Sequence, residues 1–347
     1  MSNTLSRRGL LGATSLAFIG CAAAGTRSAA GDGGQARQAA VLDRAMADGS
    51  TSVLVVQAGQ IGAERYAQGW SGDQPRELAS VAKSIIAVLV CMAIEDGFIN
   101  GLDQPAADFI PPWRDDARRA ITLRHLMSMT SGLNDAGLAL RNIAGDQFAI
   151  NAAAALGHPP GTRWAYNTAA YHLLFHILAR ATGEPVEVYA ARRLIGPLGM
   201  SQTRWVANIG QGAAGPVTNY YSALSTARDL AQFGKLILNE GRWDDRQLVR
   251  ADFVRILTRP SQALNPSYGL LWWCNSASGY DATGQVAGFR FPHAPKDTIA
   301  ALGAGGQALL LVPSRRLIIV RQGEPPRSPL LFDDLLSAFS GTSGDVT

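Results

Sequence analysis

Residues 78–84 read Leu-Ala-Ser-Val-Ala-Lys-Ser and open an apolar run that continues to Glu95. The run predicts a buried helix over 78–95, which Gly97 ends. Residues three apart share one face of a helix, so the Lys83 amine should lie beside the Ser80 hydroxyl. A serine needs a base before it attacks a carbonyl carbon, and a buried lysine can lose its proton and act as one. The stretch therefore predicts a nucleophilic serine at the start of a central helix.

Apolar segments at both ends of the chain predict one antiparallel sheet. The predicted strands are 52–58, 63–70, 268–275, 298–302, 308–312 and 317–321, followed by a last helix over 328–340. The predicted helices of the middle region are 118–129, 169–182, 185–194 and 226–239. We therefore predict an α/β (α+β) fold, with an antiparallel sheet flanked by helices and an inserted all-α subdomain. The α/β part should span about 40–99 and 260–340 and the helical part about 100–259, with the site between them.

The first thirty residues are predicted to be an export signal rather than part of the fold. Arg7 and Arg8 precede a short apolar stretch, as in a twin-arginine signal. Small residues at 28–30 suit cleavage, whereas Cys21 lies in a stretch that resembles a lipoprotein box and would carry a lipid anchor. Residues 31–40 are rich in Gly and Ala and predict a tether. The twin-arginine export machinery is the expected partner, and the periplasm or cell envelope is the expected location.

Charge and spacing argue against several other classes of protein. The net charge of +4 is spread along the chain, which argues against a nucleic-acid-binding surface. The three cysteines show no CxxC and no metal-ligand spacing, so no metal and no cofactor are predicted. Glycines at 210–215 match a dinucleotide-binding pattern, but no strong strand precedes them and a loop is predicted. His172 and His176 share a helix face without a third ligand, which favours a structural pair.

Several motifs together resemble the serine β-lactamase and penicillin-binding-protein superfamily. The matching segments are 78–84, 95–99, 121–133, 160–168, 225–234 and 268–273. The resemblance covers nearly all of the mature chain. It is strongest to the class C β-lactamase-related group, which includes esterases and 6-aminohexanoate-dimer hydrolases. The resemblance implies a β-lactamase/transpeptidase-like domain over 31–345 that acts through an acyl-enzyme.

The resemblance also implies roles for individual residues. Ser80 would be the acylated nucleophile, Lys83 its partner, and Tyr166 a proton shuttle whose pKa Lys83 lowers. Many relatives have an asparagine two residues after this tyrosine, and here Asn167 and Thr168 follow it. These two residues are the candidates for a contact with the substrate.

The third family motif is replaced by a glycine-rich run. Where relatives often have Lys-Thr-Gly or His-Thr-Gly, residues 302–307 read Leu-Gly-Ala-Gly-Gly-Gln. A backbone N–H group at Ala304 or Gly305 would complete the oxyanion hole. The missing cation favours a neutral ester or small linear amide over a carboxylate-bearing substrate. A β-lactamase or D-Ala-D-Ala carboxypeptidase, and a non-catalytic sensor of cell-wall peptides, stay open as alternatives.

Overall fold

The computed structural model describes residues 29–134, 144–285 and 288–341. The helices are α1 (Ala29–Ala47), α2 (Ala82–Glu95), α3 (Leu123–Met127), α4 (Gln147–Ala152), α5 (Thr168–Thr182), α6 (Val186–Ala190), α7 (Ala227–Leu238), α8 (Ala251–Leu257) and α9 (Leu331–Ser340). The strands are β1 (Ser50–Gln57), β2 (Gln60–Tyr66), β3 (Arg76–Glu77), β4 (Arg204–Gly212), β5 (Gly215–Ser225), β6 (Arg242–Trp243), β7 (Arg246–Gln247), β8 (Trp273–Cys274), β9 (Ile299–Gly303), β10 (Gln307–Val312) and β11 (Leu317–Gly323).

A six-stranded antiparallel sheet forms the frame, in the order β2-β1-β11-β10-β9-β8. Strand β1 pairs with β2 on one side and with β11 on the other, which confirms that both ends of the chain build one sheet. Helices α1 and α9 pack on each other and on the sheet, and α7 contacts β1, β10 and β11. Strands β10 and β11 are buried along their whole length, and this explains why they are apolar without alternation.

Helix α2 lies at the centre of the molecule, and residues 82–93 are all buried. A 3₁₀ turn over Ala79–Val81 precedes it, so the helix predicted over 78–95 is present with a tighter first turn. Helix α2 contacts α5 on one side and β9 on another. The segment that carries Ser80 and Lys83 therefore lies between the sheet and the helical region.

The inserted region departs from the predicted all-α subdomain by containing a β-hairpin. Strands β4 and β5 pair along their length, and β5 also pairs with β3. The glycines at 210–215, predicted to form a loop, lie at the ends of these two strands. A Cβ atom on Gly210 would lie 2.1 Å from the carbonyl oxygen of Gly145, so this glycine serves close packing. Strands β4 and β5 are rich in glycine and polar residues, so the hydrophobic periodicity of the sequence did not predict this hairpin.

Three local predictions were wrong. The tether predicted at 31–40 is part of α1. The helix predicted over 118–129 is interrupted at Thr122, whose side chain accepts a hydrogen bond from His125 N and caps the shorter α3. The strand predicted over 268–275 is reduced to β8, because a bridge between Tyr268 and Trp273 folds the segment back on itself.

The predicted export signal falls almost entirely outside the described residues. Arg7, Arg8 and Cys21 precede Ala29, where the description begins. Within the described part of the chain, every helix is too short or too polar to cross a membrane. Export and lipidation therefore stay predictions.

Candidate active site

The segment that carries Ser80, the predicted nucleophile, forms a tight turn at the start of α2. Ser80 is the middle residue of the 3₁₀ turn, and Lys83 lies in the first turn of α2. The Nζ atom of Lys83 is 2.9 Å from the Oγ atom of Ser80, as the spacing of three residues requires. Ala79 has a φ of 48°, a left-handed conformation that is costly for a residue other than glycine. Such strain, held by the surrounding structure, is typical of functional sites.

Two tyrosine rings enclose the lysine. Lys83 is 3% exposed, and its Nζ atom lies 5.2 Å from the ring centre of Tyr166 and 4.4 Å from that of Tyr171. Burial, assisted by the nearby charge of Lys83, lowers the pKa of His172 to about 3. The amine therefore lies in a part of the protein that is shielded from water.

Tyr166 lies in the loop before α5, and its hydroxyl group is hydrogen-bonded to Ser80. Burial raises the pKa of Tyr166 to about 12, against the smaller lowering effects of the Ser80 hydrogen bond and the Arg290 charge. The pKa of this tyrosine is therefore raised and not lowered as predicted. At neutral pH the phenol keeps its proton, so it is suited to donate a proton rather than to accept one.

The family-like segment 121–133 holds the tyrosine loop in place. Ala165 N donates to the carbonyl oxygen of Met129 at 2.9 Å, and Gly161 N donates to that of Thr130 at 2.8 Å. Met129 itself has a φ of 62°. The segment thus acts on the site through the backbone of the loop that carries Tyr166.

Asn167 and Thr168 lie at the N-terminus of α5. Asn167 is 3% exposed, its Nδ2 atom donates to Leu133 O at 2.8 Å, and its Oδ1 atom accepts from Ala170 N at 2.8 Å. The Oδ1 atom caps α5 and the Nδ2 atom bonds the backbone of Leu133, so both polar atoms of this side chain serve the fold. That Asn167 contacts the substrate stays a prediction. Thr168 is the first residue of α5 and is partly buried.

Strand β9 ends beside Ser80. A Cβ atom on Gly303 would lie 2.2 Å from Leu78 O and 3.2 Å from Ser80 N, so the two backbones are in close contact. The predicted oxyanion residues Ala304 and Gly305 follow in the turn between β9 and β10. Gly303, one residue before the predicted pair, thus lies against the backbone of Leu78 and Ser80, and the oxyanion role of Ala304 or Gly305 stays a prediction.

A buried arginine of β11 holds the same turn by hydrogen bonds to its carbonyl oxygens. Arg321 is fully buried, and its Nη1 atom donates to the carbonyl oxygens of Gly305 at 3.2 Å and Gly306 at 2.9 Å. Its Nε atom donates to Ser50 Oγ and its Nη2 atom to Asp48 O. Burial lowers the pKa of Arg321 to about 10, which leaves it charged at neutral pH. Sequence reasoning missed this arginine, since nothing local distinguishes it from the others.

An aromatic wall stands beside Tyr166. The Trp273 ring is stacked on that of Tyr166, with centres 5.9 Å apart and planes 11° apart. Tyr268 meets both rings edge-on. The guanidinium carbon of Arg290 lies 4.0 Å from the centre of the Trp273 ring. Arg290 and Trp273 were not among the predicted site residues.

The fold is that of the β-lactamase-like serine hydrolases. Residues 39–323 match the beta-lactamase family, and the chain belongs to that family. Esterase EstB of Burkholderia gladioli is 30% identical over 204 residues, which are 49% of this chain and 51% of EstB.

Two solved structures share the fold at low sequence identity. A candidate beta-lactamase of Bacteroides dorei has a TM-score of 0.70 at 19% identity, covering 89% of this chain and 99% of its own. A candidate 6-aminohexanoate-dimer hydrolase of Bacillus anthracis has a TM-score of 0.69 at 20% identity, covering 86% of this chain and 81% of its own. The fold is therefore shared by proteins named for different substrates, and the substrate must be argued from the site.

Proposed function

We propose that the protein is a serine hydrolase that cleaves a carboxylic ester or a small linear amide through an acyl-enzyme. One observation carries the proposal: the Ser80 hydroxyl contacts Lys83 Nζ at 2.9 Å and is also bonded to the Tyr166 hydroxyl. A nucleophile, a base and an acid are thereby in contact without further movement.

Acylation uses the three groups in turn. Neutral Lys83 accepts the proton of Ser80 as the serine oxygen attacks the carbonyl carbon. Tyr166 gives its phenolic proton to the departing alcohol or amine, and the ammonium group of Lys83 then gives the proton taken from Ser80 to the tyrosine oxygen. The protons balance, and the enzyme is left with an ester on Ser80. Attack of water on this ester, with the same groups in reverse order, releases the acid.

The negative charge that develops on the carbonyl oxygen needs donors that are already in place. Ser80 N and a backbone N–H group of the turn after Gly303 are suited to this, because β9 ends beside the nucleophile. Arg321 holds that turn through the carbonyl oxygens of Gly305 and Gly306. The donors therefore lose little freedom when the intermediate forms.

Two supports favour an ester or linear amide over a β-lactam. The turn of the third motif has no side-chain cation of its own, since residues 303–306 read Gly-Ala-Gly-Gly. EstB is named as an esterase, and the Bacillus anthracis protein as a candidate amide hydrolase. A small ester or amide is therefore the proposed substrate class.

The test compares the purified protein with Ser80→Ala and with Ser314→Ala, an exposed serine that serves as the matched control. The substrates are a short-chain nitrophenyl ester, the 6-aminohexanoate dimer, a chromogenic cephalosporin and a D-Ala-D-Ala peptide. We expect Ser80-dependent turnover of the ester or the dimer and wild-type rates for Ser314→Ala. Turnover of the cephalosporin or peptide alone would replace the proposal by a cell-wall function. No turnover, together with no labelling of Ser80 by a fluorophosphonate, would indicate a non-catalytic module.

A further inference from the structure

A cavity of about 600 Å³ lies at the end of β9 that is remote from Ser80. Strand β9 begins at Ile299, which lines the cavity, and ends at Gly303, which adjoins Ser80. Four steps along a strand span about 13 Å. Lys83 and Tyr166, like Ser80, lie outside the lining of the cavity. The cavity is therefore separate from the candidate active site, and its volume is that of a small-molecule site.

Apolar side chains form much of the lining. Cys274 faces the cavity while its neighbour Trp273 stacks on Tyr166, because consecutive residues of a strand point to opposite faces. Burial raises the pKa of the Cys274 thiol to about 12, so this residue is neutral. An alkyl chain in the cavity would cover this surface and remove it from water. The apolar lining residues are Ile237, Leu238, Val254, Cys274, Ile299 and Pro313.

The charged residues of the lining carry an excess of positive charge, because three cations stand against two acids. One acid is paired with one of the cations, since Arg255 Nη1 lies 2.9 Å from Glu240 Oε2. The other acid is Asp297, whose carboxylate accepts hydrogen bonds from Ser314 N at 2.6 Å and from Ser314 Oγ at 3.0 Å. Both acids are thus bound to groups other than the two remaining cations. The five charged lining residues are Glu240, Arg255, Arg259, Lys296 and Asp297.

The two remaining cations, Arg259 and Lys296, are exposed at the edge of the cavity. Neither side chain makes a hydrogen bond or an ion pair within residues 29–134, 144–285 and 288–341. Arg259 follows α8 and Lys296 precedes β9, so the fold brings cations from two separate segments to one cavity. An anion can contact both of them without displacing a partner among the described residues.

We propose that this cavity binds an amphipathic anion, with an alkyl chain on the apolar lining and a carboxylate head group at Arg259 and Lys296. An aliphatic carboxylate of medium length has this chemistry. A cationic head group would be repelled by the excess positive charge, and a neutral one would gain nothing from it. The inference is independent of the proposed function, because it uses no residue of the candidate active site.

The experiment titrates octanoate, octanol and octyltrimethylammonium into the purified protein by isothermal titration calorimetry. The three probes share one alkyl chain and differ in the charge of the head group. We expect one equivalent of octanoate to bind about 10-fold more tightly than octanol, which is the size of effect that two exposed charge contacts provide. Octyltrimethylammonium should bind no better than octanol.

Three variants place the binding in this cavity. The double variant Arg259→Gln/Lys296→Gln should bind octanoate no better than octanol. Its matched control is Arg119→Gln/Arg204→Gln, which removes two positive charges from exposed positions outside the cavity and should keep the wild-type affinity. Ser276→Trp puts a large ring into the cavity from a partly exposed position and should weaken the binding of octanoate and octanol alike, by about 10-fold or more.

A wild-type protein that binds no octanoate, or binds it no more tightly than octanol, would overturn the inference. Unchanged octanoate affinity in Arg259→Gln/Lys296→Gln or in folded Ser276→Trp would also overturn it, because the ligand would then be bound elsewhere. The comparison of the three probes on the wild-type protein decides the matter if a variant does not fold.

Discussion

Gly303→Ala adds one methyl group at the place where β9 meets the nucleophile segment. The new Cβ atom would lie 2.2 Å from Leu78 O and 3.2 Å from Ser80 N. Both neighbours are backbone atoms, so no side chain can rotate away to make room. Leu78 O also accepts a hydrogen bond from Val81 N at 3.2 Å, which closes the turn that carries Ser80.

The size of the effect follows from this contact. A carbon and an oxygen need more than 3 Å, so the two backbones must part by roughly 1 Å. Overpacking of this kind costs about 1–3 kcal/mol of stability. A misplacement of about 1 Å in a preorganised site can lower the rate about 100-fold. We therefore expect kcat to fall about 100-fold, with a smaller change in KM.

The assay measures kcat/KM on the nitrophenyl ester and urea unfolding on the same preparations. Gly101→Ala is the control, because a Cβ atom there meets nothing within 4 Å. It should change neither activity nor stability appreciably. A folded Gly303→Ala protein with at least half of the wild-type kcat would refute the argument that this contact sets the geometry at Ser80.

Three further predictions concern charged or titratable groups. Lys83→Arg should lower kcat/KM about 10²- to 10⁴-fold, because an arginine stays charged and cannot accept the Ser80 proton; near-wild-type rates would contradict a base role for Lys83. Arg321→Lys should lower kcat on the ester and cost about 2–4 kcal/mol in urea unfolding, because lysine cannot reach all the oxygens that Arg321 bonds; unchanged kcat would show that the turn does not depend on it. Burial lowers the pKa of His172 to about 3, whereas an unfolded histidine titrates near about 6.5. The unfolded chain therefore binds more protons between these values, and stability falls as the pH drops, by about 2 kcal/mol from pH 7 to 5. His172→Gln should flatten this part of the urea-unfolding profile, and an unchanged slope would show that His172 is protonated in the folded protein.

Local chemistry was predictable because it depends on near neighbours in the sequence. The contact between Ser80 and Lys83 follows from a spacing of three residues at the start of a helix. Strands β10 and β11 follow from continuous apolar runs, because both faces of the sheet are covered. In both cases the residues that determine the structure lie within a few positions of one another in the sequence.

Contacts between segments that are distant in the sequence could not be predicted from short stretches of sequence. Arg290 and Arg321 come from separate parts of the chain, and only the fold brings one against Trp273 and the other against the turn after β9. The close contact of Gly303 with Leu78 and Ser80 was not predicted, because the position of β9 depends on its pairing with β10. The hairpin of β4 and β5 escaped notice because its polar positions show no clear alternation.

The raised pKa of Tyr166 decides which substrates need this residue. With a pKa of about 12 the phenol carries its proton at neutral pH and can hand it to a departing group. An alkyl alcohol or an amine is a poor leaving group without that proton, whereas nitrophenoxide departs as an anion. Tyr166→Phe should therefore lower kcat/KM about 10²- to 10⁴-fold on an alkyl ester or amide, and much less on the nitrophenyl ester. An equal loss on both would mean that Tyr166 acts on Ser80 before the leaving group departs, and Lys83 would then not be the sole group that takes the Ser80 proton.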